Sequence, residues 1–135
     1  MDITQLKSAQ ARDEQRATFT LYQKDGDPYL AADGAPVTFA VLGNESAAYR
    51  RARLLVQRRM LQGRQRRLEP EDLQRNRVAM AASVLVDWSG LEKDGAPWPC
   101  TQDNVMQLLG IEHVLEQVES AITGHADFFK TSSSS

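Results

Sequence analysis

Val37-Thr-Phe-Ala-Val-Leu-Gly-Asn-Glu-Ser-Ala-Ala-Tyr-Arg-Arg-Ala52 changes its period halfway along. Up to Leu42 the residues are β-branched and aromatic, the composition of a strand. Gly43-Asn44-Glu45-Ser46 then stops the strand and offers Asn44 or Ser46 as a helix cap. From Ala47 to Gln62 helix formers dominate. Ala48, Tyr49, Ala52, Leu55, Val56 and Met60 recur at three- and four-residue spacings, an apolar stripe expected to lie over a sheet. A strand running straight into an amphipathic helix points to an α+β fold.

Upstream, Ala17-Thr-Phe-Thr-Leu-Tyr22 alternates threonine with large apolar residues and reads as a partner strand. The turn signals Lys24-Asp-Gly-Asp-Pro28 and Asp33-Gly-Ala-Pro36 lie between the two strands, leaving Tyr29 and Leu30 room for a short middle one. The expectation is an N-terminal β-hairpin or short meander, which needs something packed on its apolar face. Residues 1–16 are polar and read as a loose arm or short helix.

Downstream, Glu69-Pro70-Glu71-Asp72 suits the first turn of a second helix, expected to run to about Trp88 and apolar almost all round from Val78 to Val86. A turn-rich loop from Ser89 to Pro99 follows, with Trp88 and Trp98 placed to close it from either side. Thr101 caps a helix from Gln102 to Leu109. After Gly110, the residues Ile111, Val114, Leu115, Val118 and Ile122 share one face of a last helix. The expected organisation is the polar arm 1–16, one α+β domain over 17–126 with a four-segment helical body, and a flexible tail over 127–135.

The 135 residues are enough for a modest single core, and 41% hydrophobic with 25% charged residues excludes the disordered class. The longest apolar run, Ala79 to Val86, is broken by Ser83 and too short to cross a bilayer. The start MDITQLKSAQ lacks the basic and apolar segments of a signal peptide, so a cytoplasmic location is expected. Cys100 is the only cysteine, which excludes an internal disulfide and a cysteine-based zinc site.

No Gly-x-Ser-x-Gly, His-Glu-x-x-His or phosphate-binding glycine loop occurs, so no enzyme, cofactor or metal is expected. His113 could pair with Glu112 or Glu116, and Cys100 beside a helix N-terminus could carry a lowered pKa. The bland readings, a solvent-facing histidine and a half-buried small side chain, rank ahead of both.

The net charge of −2 hides a segregation. Eight arginines (50, 51, 53, 58, 59, 64, 66 and 67) occur between Tyr49 and Leu68 without an acid, while Asp103, Glu112, Glu116, Glu119 and Asp127 crowd the C-terminal quarter. Such a dipole suits head-to-tail contact between copies. The arginines could also neutralise phosphates, but no aromatic side chain from Arg50 to Arg77 offers a base something to stack on, so nucleic acid ranks behind protein contact.

Val41-Leu-Gly-Asn-Glu-Ser-Ala-Ala-Tyr-Arg-Arg-Ala52, Val86-Asp-Trp-Ser-Gly-Leu91, Asp94-Gly-Ala-Pro-Trp-Pro-Cys-Thr-Gln-Asp-Asn104 and Val105-Met-Gln-Leu-Leu109, taken in this order, resemble the tail assembly chaperones of long-tailed bacteriophages. The likeness covers most of residues 37–121 and departs at Cys100, where an aromatic residue is commoner in that family. It implies an α+β fold without enzymatic activity that coats the tape-measure protein before tail-tube subunits polymerise around it. It further implies homo-oligomers, work in the host cytoplasm and absence from the mature virion. A longer frameshifted product is frequent in such families, and Asp127-Phe-Phe129 is compatible with a slippery run of T bases.

On this reading the tape-measure protein and the major tail protein are the partners, and no membrane is involved. Leu54, Met60, Val84, Leu85, Leu115 and Val118 are the expected partner contacts, while Arg50, Arg51, Arg58, Arg59, Arg66 and Arg67 form an inter-subunit or anion-facing surface. The competing readings are a structural protein of the tail or head-tail connector and a nucleic-acid-binding accessory protein.

Overall fold

A computed structural model of the chain describes residues 2–63 and 69–130, the last two by backbone alone. The order is α1 (Ile3–Asp13), β1 (Ala17–Thr20), β2 (Thr38–Val41), α2 (Ala47–Gln62), α3 (Pro70–Ala82), β3 (Leu85–Ser89), β4 (Glu92–Lys93), β5 (Ala96–Pro97), α4 (Gln102–Leu109), α5 (Glu112–Thr123) and the single turn α6 (Asp127–Lys130). The fold is α+β. No helix among the described residues is long and apolar enough to cross a membrane.

β1, β2 and β3 form an antiparallel sheet in that order. Register sets Phe19 beside Phe39 and Phe39 beside Trp88, so an aromatic row crosses the sheet with edge-on contacts at 5.6 Å and 6.1 Å between ring centroids. Such cross-strand pairs are the unit of sheet stabilisation. Trp98 extends the row, stacked on Trp88 at 5.3 Å, and the Trp88 indole donates to the Trp98 carbonyl at 2.7 Å. The β4–β5 hairpin turns at Asp94-Gly95, both with positive φ (55° and 81°), as a two-residue primed turn requires.

The third strand corrects the expected helix to Trp88. α3 ends at Ala82, and Leu85–Ser89 crosses back onto β2. The physical reason is a bulge. Ala40 pairs with Asp87 but Val41 pairs with Leu85, so the inward-facing residues of β3 do not alternate and its apolar run hides the period of a strand. The middle strand expected at Tyr29-Leu30 is reduced to two isolated bridges, Tyr22 with Pro28 and Leu30 with Pro36.

α3, α4 and α5 close over the sheet. Phe39, Val41, Val84, Leu109, Leu115 and Val118 are fully buried between them. Thr101 caps α4 by accepting from the Asn104 amide, and in α3 the Asp72 carboxylate accepts from the Glu69 amide. Residues 127–130, expected in the tail, form α6, and the Phe128 ring lies 6.4 Å from that of Phe19.

The polar arm is the helix α1, started by Asp2, whose side chain accepts from the Thr4 amide. Its far end is bolted to the β2–α2 corner. The Asp13 carboxylate, nearly buried, accepts from the Glu45 amide at 2.7 Å, and Glu14 accepts from the Ala47 amide at 2.5 Å. His125 Nε2 meets the Gln15 carbonyl at 2.7 Å, and its Nδ1 stands 3.5 Å from Asp13. Gly43 makes this fit possible, since a Cβ there would sit 2.4 Å from the Asp13 carboxyl carbon.

Candidate protein-binding site

α2 is left largely uncovered by the rest of the described chain. Its N-terminus is secured by Ser46, whose hydroxyl accepts from the Tyr49 amide and donates to the Gly43 carbonyl, and by the α1 contacts on Glu45 and Ala47. Its stripe Ala48, Tyr49, Ala52 and Val56 is half-buried against α3, not over the sheet as its spacing suggests, and no residue of the helix is fully buried. Tyr49 is also covered by Arg53, whose guanidinium lies 5.5 Å from the ring centroid.

The remaining apolar side chains of α2 face out: Leu54 is 56% exposed, Leu55 51%, Met60 41% and Leu61 66%. With about 100° of rotation per residue, Leu54 and Leu61 fall on the side opposite the Ala52 stripe, in line with Arg50 and Arg58. Leu55 lies on the flank toward a groove of about 510 Å³ between α2, α3 and the start of α4. The groove has an apolar floor of Leu55, Val56, Ala79, Ala82 and Met106, a rim of Arg51, Arg59 and Arg75, and no acidic lining residue among the described residues. Arg75 pairs with Asp72 at 3.5 Å. Arg51, Arg58 and Arg59 have no carboxylate partner among the described residues.

The six expected contact residues separate into two groups. Leu54 and Met60 are on the surface of α2. Val84, Leu85, Leu115 and Val118, between 0% and 5% exposed, are core, because the bulged strand turns Leu85 inward and α5 packs its whole apolar face on the sheet and α3. They correct the expectation of a contact surface there. Of the arginines, Arg50, Arg51, Arg58 and Arg59 line the exposed sides of α2, while Arg66 and Arg67 lie outside the described residues. Leu61, Leu73 and Met106 are exposed apolar residues not singled out from sequence, and Leu55, expected in the stripe over the sheet, is exposed as well. Their spacing looks like core, and only the packing shows how much of each stays exposed.

The acidic side of the molecule is partly used internally. Arg77 of α3 reaches Glu119 at 2.6 Å and Glu112 at 2.9 Å, two carboxylates spanning two turns of α5. Hydrogen bonds to Glu119 and then Glu112 raise the Arg77 pKa above its usual value, and the Arg77 hydrogen bond lowers that of Glu112. His113 pairs with neither Glu112 nor Glu116. Its Nε2 lies 2.7 Å from the Tyr22 carbonyl, beside Gln117, whose amide accepts from the Tyr22 N–H and donates to the Tyr22 carbonyl as a strand would. Cys100 departs from the lowered pKa suggested by its position: burial, then the Asp87 charge, push the thiol up, away from nucleophilic reactivity. Comparison with family models, with curated proteins and with solved structures gives no match.

Proposed function

We propose that the protein is a non-catalytic tail assembly chaperone that holds the tape-measure protein, and through it the tail-tube subunits, in the host cytoplasm while a phage tail is built. The observation that carries the reading is the unfinished α2: sixteen residues of helix with no buried side chain and four large apolar ones in solvent. Exposed apolar surface on so small a domain marks a contact made with something else. A long helical protein free in the cytoplasm aggregates, and many weak apolar contacts from a small domain would shield it yet still yield to tube subunits. The segregated charges support contact between copies, with arginines of one meeting the acidic C-terminal quarter of the next.

Co-expression tests this. A tape-measure protein encoded beside this gene should stay in the soluble fraction with the chain and precipitate without it, and purified virions should contain none of the chain by mass spectrometry. A tape-measure protein equally soluble either way defeats the chaperone reading. Stoichiometric recovery in virions would make the chain a structural tail protein.

A further inference from the structure

We propose that the groove between α2, α3 and α4 seats an acidic amphipathic helix of another polypeptide. The inference rests on the protein-holding reading above and deepens it by giving the ligand's chemistry. The floor is apolar and concave, with Leu55 and Met106 exposed in it, so it can take apolar side chains spaced three or four residues apart on a helix.

The rim decides the flanks. Arg51 and Arg59 stand eight residues apart on α2, about 12 Å along the axis, and Arg75 stands across the groove on α3. Among the described residues no carboxylate lines the groove and none pairs with Arg51 or Arg59. A helix with acids on both sides of its apolar stripe supplies the missing counter-charges, two of them seven or eight residues apart. Nucleic acid fits less well, because the described lining has no aromatic side chain on which a base could stack. A membrane surface fits less well too, because a bilayer needs a protruding apolar face and this one is recessed.

The test uses the full chain and two designed probe helices with one leucine stripe, flanked by glutamate in the first and lysine in the second, read by fluorescence anisotropy. The glutamate probe should bind at least about tenfold more tightly than the lysine probe. The double variant R51E/R59E should reverse that preference, and Met106→Glu should abolish binding of both, with thermal melts showing each variant folded. Equal binding of the probes, binding unaffected by R51E/R59E, or displacement of the glutamate probe by single-stranded DNA or anionic vesicles overturns the groove assignment. Co-expression separates this outcome from the functional reading. If R51E/R59E loses the glutamate probe yet still keeps the tape-measure protein soluble, the chaperone reading stands and the groove is not its contact.

Discussion

α2 and α5 carry similar apolar spacings, and the fold treats them in opposite ways. α5 buries Val114, Leu115, Val118, Ala121 and Ile122, so its face holds it. α2 buries nothing fully: it lies half-buried on α3 and is tied down at its start, through Ser46 and the carboxylates of Asp13 and Glu14. An apolar stripe therefore reports that a face exists without saying whether the chain itself covers it.

The sharpest way to break this contrast is matched truncation. Leu115→Ala should cost roughly 2–5 kcal/mol by leaving a cavity under the sheet, whereas Leu54→Ala should stay within about 0.5 kcal/mol, both read from denaturant midpoints. Similar losses at the two sites would mean that α2 is covered after all.

Next in size is the anchor at the start of α2. Gly43→Ala forces the Asp13 carboxylate off the Glu45 amide and should cost on the order of 1–3 kcal/mol. Backbone exchange should then rise in α1 and the first turn of α2 and not in α5, so a uniform rise across the molecule would count against an anchor local to the start of α2.

Smaller still is the clasp that adds to the hold on α5. Arg77→Gln should lower Tm by no more than a few degrees, because the pair is more than a third exposed. The Glu112 pKa is lowered in the fold, so its share of stability is present above the ordinary glutamate value of about 4.3 and lost as pH falls through the folded value. The gap between wild type and Arg77→Gln should be full at neutral pH and close on acidification. A gap that widens in acid would reverse the assigned sign.

The smallest effect needs no substitution. Amides in the middle of α2 should exchange faster than those of α5 in the native state, since fewer buried contacts resist local opening.

Much of the fold was legible because its signals are local: the β2 stop at Gly43, the caps at Ser46 and Thr101, the α4 stripe, and the α5 stripe from Val114 onward stand where their residues suggest, while Ile111, expected on the same face, precedes the helix and is exposed. β3 was not. A bulge and a continuous apolar run erased its alternation, so Leu85 and Val86 read as helix. The site was half legible for a different reason. Leu54 and Val84 look alike as letters, and only tertiary packing exposes one and buries the other. Gly43 reads as a strand stop, and nothing near it in sequence announces the carboxylate from α1 that needs its missing Cβ.

The corner where Asp13 and Gln15 meet His125 ties together points 110 residues apart in the chain. During synthesis it cannot close until the segment holding His125 has left the ribosome, long after the sheet strands and α2 have emerged. The anchor on α2 is thus completed by one of the last described segments to be made, and a chain cut short before that histidine would carry its arginine-rich helix with the corner still open.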